Sequence, residues 1–214
     1  MKIHDALRRT TLALLAAGSL CSLSACFPLA VGGAVAGGLV AVDRRTSGTV
    51  IEDEGIEIKA GYRLRENLGG RGHINVASYN RQVLLIGEVA SAQDRQLAEK
   101  LVGEVENVRN VVNDLEVMEN SSLTQRSNDV LVSGRIKAAL LDAQDLFVNS
   151  FKISVERGNA YMMGRVTQRE ASHATEIVSA TNGVKRVVRV LEIISEEELA
   201  RIQPPPPAPA KPKP

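Results

Sequence analysis

Cysteine is nearly missing from this chain: of 214 residues only Cys21 and Cys26 carry a thiol. Beyond Cys26 there is no pair for a disulfide within the chain and no thiolate set for a metal. Histidine is almost as scarce. His73 and His173 are the two downstream of residue 26, the first in a loop after Gly69-Gly70-Arg71-Gly72 and the second on a helical stretch beside Arg169 and Glu170. General acid–base or nucleophilic catalysis needs a base held against a partner group, and neither histidine has one that the sequence makes predictable. The glycines before His73 do not have the spacing of a phosphate-binding loop. An enzyme is therefore not expected. Neither sign of charge is in excess, with 26 basic and 25 acidic residues, so nothing calls for nucleic acid. Seven of the eight prolines lie between 204 and 214, which predicts a stiff, solvated polyproline II tail. Tryptophan is absent altogether.

What is present begins with a leader. Lys2, Arg8 and Arg9 precede an apolar run from Thr11 to Leu23 that is too short to span a bilayer comfortably, and Leu23-Ser24-Ala25-Cys26 follows. An aliphatic residue and two small ones ahead of a cysteine resemble the bacterial lipoprotein lipobox, in which the cysteine is acylated and becomes the first mature residue. The resemblance implies a signal peptide over 1–25 and covalent lipid on Cys26, with no other cofactor. Each buried methylene contributes ~0.8 kcal/mol, so two or three acyl chains on one cysteine make an effectively permanent anchor. An uncleaved helix running on through Phe27 to Val42 is disfavoured by Pro28 and by Gly32, Gly33, Gly37 and Gly38, which weaken a helix. Phe27 is not the aspartate that retains many lipoproteins at the inner membrane, so the resemblance favours the periplasmic face of the outer membrane. Residues 26–50 read as a glycine-rich stem near the lipid, with Arg44 and Arg45 able to meet anionic headgroups.

Downstream, the chain repeats itself. Ile74 to Tyr79, a turn at Asn80-Arg81, and Gln82 to Val89 predict a β-hairpin; Phe151 to Glu156, a turn at Arg157-Gly158-Asn159, and Ala160 to Val166 predict its counterpart, with Gly87 and Gly164 in matching places. A helix follows each hairpin. Ser91 with Asp94, and Thr167 with Glu170, supply an N-cap oxygen and an acidic residue three positions on, ahead of the apolar stripes Leu97, Leu101, Val102, Val105 and Ala171, Ala174, Ile177, Val178. Val108 to Val117 and Val184 to Ile193 predict the closing strands. A weaker helical segment precedes each hairpin, Ile56 to Leu68 and Val130 to Leu141. The order helix, strand, strand, helix, strand, twice over, predicts an α+β fold of two small domains, each with a three-stranded mixed sheet packed on two helices. Their ranges are 51–118 and 128–194, joined by a polar linker at 119–127 and followed by an acidic turn and the proline tail over 195–214.

The hairpin, its glycine, the capped helix, then Gly183-Val184-Lys185-Arg186-Val187 and a final apolar strand resemble the BON domain. The first copy keeps the frame as Glu106-Asn107-Val108-Arg109, with Glu106 where the glycine would be. Two BON domains behind a lipobox resemble the dual-BON outer-membrane lipoproteins. That resemblance implies a protein with no enzymatic activity that binds anionic phospholipid through its second BON domain and supports envelope integrity. It also points to outer-membrane assembly or cell-division proteins as partners and to division sites as its location.

The charge split points the same way independently. From Ile51 to Met118 there are eight basic and twelve acidic residues, net −4; from Asn128 to Ile194 there are nine and seven, net +2. Only the second copy is drawn to an anionic bilayer, at ~1 kcal/mol per well-placed cation. On its first helix Val132, Ile136, Ala139 and Leu140 fall on the core side, while Leu131, Gly134, Lys137, Ala138 and Leu141, with Arg135 beside them, form an amphipathic basic face suited to phospholipid. The competing reading of Leu131 and Leu141 is that they close the ends of the domain's own core. The competing reading of the whole chain is a protein-binding adaptor for envelope assembly, with the proline tail as a contact and no lipid selectivity of its own.

Overall fold

Each copy of the repeat opens with a helix longer than its apolar spacing suggests. The structure is a computed structural model that describes residues 43–143 and 145–202, all within one compact unit. Cys26, the stem as far as Val42, and the proline tail lie outside the described residues. Helix α1 spans Ser47–Leu68, and the Thr46 hydroxyl caps it by accepting from the Thr49 amide at 3.2 Å. The second copy's first helix, here α3, spans Leu123–Asp142 behind a capping box of Ser122 and Gln125. The expected starts at Ile56 and Val130 rest on apolar spacing alone, and the caps carry each helix about two turns further upstream. Residues 123–127, expected as linker, are therefore helical, and residues 47–50, expected as stem, are the first turn of α1.

Strands β1 (Gly72–Tyr79) and β2 (Gln82–Val89) pair antiparallel across Asn80 and Arg81, whose φ values of 51° and 65° define a turn that matches the strand twist. Strands β4 (Phe151–Glu156) and β5 (Asn159–Thr167) repeat this across Arg157 and Gly158, at 52° and 79°. His73 falls inside β1, opposite Glu88, rather than in a loop. A buried aspartate on the first helix holds each turn from behind. Asp53 accepts from the amides of Asn80 and Arg81, and Asp129 from those of Arg157 and Gly158, all at 2.8 Å.

Helices α2 (Ala92–Gly103) and α4 (Gln168–Ala180) start at the predicted caps, Ser91 and Thr167, and carry the chain across to β3 (Asn110–Val117) and β6 (Arg186–Ile194). These strands lie parallel to β2 and β5, giving two mixed sheets ordered β1-β2-β3 and β4-β5-β6. Gly183 has a φ of 100° and its equivalent is Asn107, at 69°, not Glu106 as the expected frame has it. The left-handed turn explains the substitution, since asparagine is among the few side chains that tolerate it. After β6, Ser195 caps a short helix α5 (Glu196–Ile202) by accepting from the Glu198 amide at 3.1 Å. The glutamates 196–198, expected as an acidic turn, thus open a helix, where its positive end favours them.

β2 and β5 explain how the copies combine. Val83, Leu85 and Val89 face α1 and α2, whereas Leu84 and Ile86 face the other way; Ala160, Met162 and Val166 face α3 and α4, whereas Tyr161 and Met163 face the other way. The outward-turned residues meet. Ala77, Tyr79, Leu84 and Ile86 pack with Tyr161, Met163 and Val190 in a third core between the sheets. The result is four layers, helices on sheet on sheet on helices.

Candidate membrane-docking surface

α3 separates core from surface along its whole length. Val132, Ile136 and Leu140 are buried against β4, β5 and α4, with Ala139 half-buried beside them. Leu131, Gly134, Arg135, Lys137, Ala138 and Leu141 are all exposed. Leu131 is 58% and Leu141 66% exposed, so neither closes the domain's core. Two residues that the expected face does not include join them. Leu123 and Val130, 80% and 71% exposed, share the outer line of the helix with Gly134 and Leu141, at intervals of seven, four and seven. The capping box at Ser122 is the signal that places Leu123 on this line.

The charge on this face is uncommitted. Among the described residues Lys137 makes no ion pair, and Arg135 donates only to the Asn182 carbonyl at 3.4 Å. Exposed Lys185, on the loop before β6, adds a third cation with no carboxylate partner among the described residues. It lines a groove of about 390 Å³ with Leu131, Arg135 and Gly183, a proximity that only the fold creates. Neighbouring cations are already engaged: Arg157 with Glu88 and the Glu119 carbonyl, Lys152 with Glu57.

Along the other half of α3, Lys137 and Leu141 line a groove of about 580 Å³ with Asp43, Arg45 and Phe151. The first described residues of the chain therefore sit beside this face. The expectation that Arg44 and Arg45 meet headgroups is overturned here. Arg44 is 5% exposed and its guanidinium grips both carboxylate oxygens of buried Glu170, at 2.6 and 2.8 Å, and donates to the Arg165 carbonyl at 3.0 Å. Burial alone would raise the Glu170 carboxyl, but the Arg44 fork and the Thr167 amide outweigh it and hold the group below the ordinary carboxylate range. Arg45 bonds Asp43 and Asp53, each at 2.7 Å, and lies 4.2 Å over the Tyr79 ring. Burial pushes the Tyr79 phenol up to about 12. Glu170 belongs to the second copy, and Asp53 and Tyr79 to the first, so adjacent arginines tie the chain to both.

Each of the two described histidines lies beside a carboxylate. His73 is half-buried, 3.9 Å from Glu156, and its pKa is lowered by burial and by Arg126. His173 contacts Asp145 at 3.0 Å on the surface. Among the described residues no group of three or more acidic or histidine side chains is placed to hold a metal, and no helix is long and apolar enough to cross a membrane.

Two mixed αββαβ units with glycine-bearing central strands define the class. The BON domain profile matches residues 53–119 and 128–195, so the chain belongs to the BON domain family, as a protein with two such domains. It is similar to the outer membrane lipoprotein DolP of Haemophilus influenzae, 33% identical over 179 residues that cover 83% of this chain and 93% of that protein. It is also similar to a 21 kDa hemolysin of Actinobacillus pleuropneumoniae, 29% identical over 72% of this chain and 80% of the relative. The C-terminal domain of CdsD, a structural protein of the type III secretion system of Chlamydia trachomatis, aligns at 12% identity over 71% of this chain and all of that one, with a TM-score of 0.28 that carries no argument.

Proposed function

We propose that this chain is a lipid-anchored, non-enzymatic protein of the outer membrane, held by acylated Cys26 and facing the periplasm. In this reading the outer face of α3 docks on anionic phospholipid, and the docked protein supports envelope integrity. The observation that carries it is the line of exposed apolar residues on α3 flanked by Arg135, Lys137 and Lys185, none of them paired with a carboxylate among the described residues. Leucines at headgroup depth with cations meeting phosphates is the arrangement that interfacial helices use. The position of Asp43 beside Lys137 and Leu141 supports docking on the same membrane that holds the anchor. The name of the Haemophilus relative, an outer membrane lipoprotein, supports the location.

Co-sedimentation of residues 40–214 with anionic and with neutral vesicles tests the reading. The expected outcome is anionic-selective binding, weakened by salt and reduced at least ~10-fold by Leu131→Glu, with Lys137→Glu costing about 1–2 kcal/mol. If the unit ignores both kinds of vesicle, the lipid reading fails and the adaptor reading takes its place.

A further inference from the structure

Where the described chain begins, it begins fixed. Asp43 accepts from the Arg45 amide at 2.9 Å and from the Arg45 guanidinium at 2.7 and 3.1 Å, while Arg44 and Arg45 are themselves tied to Glu170 and Asp53. Asp43 also lines the groove of about 580 Å³ beside α3, so the residues that precede it leave from that groove's edge. The charges in its walls are largely engaged, since Asp43 and Arg45 pair with each other and Lys152 pairs with Glu57. What they leave open is apolar. Leu141 is 66% exposed, Val148 is half-buried, and buried Phe151 and Ile153 complete the lining.

The chain has an occupant for this groove at the right place. Directly ahead of Asp43 stand Val40, Ala41 and Val42, three apolar residues with no glycine among them, after a stem that carries Gly32, Gly33, Gly37 and Gly38. β-Branched valines favour an extended backbone, in which Val40 and Val42 point to the same side. We propose that residues 40–42 lie extended in this groove, with the side chains of Val40 and Val42 against Leu141, Val148 and Phe151. A segment joined to the groove's edge meets it at an effective concentration of about millimolar, whereas a separate ligand loses translational freedom on entering. The seat fixes where the tether leaves the fold. It leaves beside Leu141, with residues 27–39 as the tether, a reach of about 20 Å for a glycine-rich chain. That consequence rests on the reading of Cys26 as the anchor and of α3 as the docking face; the seat itself does not.

Cross-linking in the full-length acylated chain, reconstituted in neutral phosphatidylcholine vesicles, tests the seat. One double variant carries Val40→Cys with Leu141→Cys. The other carries Val40→Cys with Ser47→Cys, an exposed position within chain reach of residue 40 and outside the groove. Under mild oxidation the first pair is expected to form its disulfide at least ~10-fold faster than the second, and adding Val42→Asp is expected to bring it down to the second pair's rate. Equal rates, or a fast rate that ignores Val42→Asp, overturn the proposal. If a quencher dissolved in the lipid darkens a fluorophore on Val40→Cys while the two pairs form at equal rates, residues 40–42 belong to the bilayer and the proposal falls. Unchanged melting curves of Leu141→Cys and Ser47→Cys check that these exposed substitutions leave the fold intact. The neutral lipid keeps docking of α3 out of the test, and the mass of the purified chain reads the acyl group on Cys26 directly, so failure of either earlier reading is seen apart from failure of the seat.

Discussion

A Cβ built on Gly87 would lie 2.0 Å from the carbonyl oxygen of His73, and one on Gly164 would lie 2.4 Å from that of Ser150. Both glycines sit mid-strand, where neighbouring backbone, not a flexible side chain, occupies the space. Gly87 also has a φ of 118°, outside the range of ordinary side chains. Gly87→Ala and Gly164→Ala are each expected to cost about 3 kcal/mol or more, measured by urea unfolding, because the strand pair has to separate to admit the methyl group. Gly134→Ala serves as the control, since a Cβ there meets nothing. Sequence reasoning finds Gly87 and Gly164 by their matching places in the repeat. What it does not find is the reason, which lies across the ladder.

At the scale of the element, the hairpins and first helices depend on each other. Asp53 and Asp129 lie just ahead of the expected helical segments, and both are buried beneath the turns they hold. Asp129→Ala removes the acceptor for two amides and is expected to cost about 1–3 kcal/mol, seen as a lowered urea midpoint with little change in slope. The same scale explains the misplaced helix starts. Thr46 and Ser122 lie upstream of the apolar period, and their side chains, accepting from the amides of Thr49 and Gln125, mark where each helix begins. Those added turns bring Ile51 and Leu123 onto the outer faces of α1 and α3. The docking face on α3 is legible in part from spacing, through Leu131 and Leu141, and in part from the cap, through Leu123.

For the whole molecule the decisive contact is sheet against sheet. β2 and β5 are buried on both faces, which the runs Val83-Leu84-Leu85-Ile86 and Ala160-Tyr161-Met162-Met163 signal by lacking a polar alternation. Across this layer Arg157 pairs with Glu88, Asn75 donates to Glu156 at 2.7 Å, and Tyr161 donates to Asp114 at 2.8 Å. Arg44 closes one side by joining the start of the chain to Glu170. Arg44→Ala strands a buried carboxylate and is expected to cost about 3–5 kcal/mol at neutral pH. The pH dependence has a definite sign. Because the folded Glu170 pKa lies below its ordinary value of 4.5, its contribution is present above that value and is lost as pH falls through the lowered folded pKa. The stability gap between wild type and Arg44→Ala therefore narrows below pH 4.5, a trend that unfolding curves at a series of pH values measure directly.

The amino-acid sequence by itself determined the two αββαβ units, the turn at Asn80-Arg81, the turn expected at Arg157-Gly158-Asn159 save that Asn159 already belongs to β5, the caps at Ser91 and Thr167, and the outward side of α3, because each of these is set by residues close along the chain. Tertiary structure alone decided that the two sheets face each other, that Arg44 and Arg45 are buried as ties between the copies and do not reach for headgroups, and that Lys185 comes to stand beside Leu131 and Arg135. The physical reason is range. Periodicity and capping act within a few residues, whereas a buried ion pair such as Arg44–Glu170 depends on what the rest of the fold brings to it.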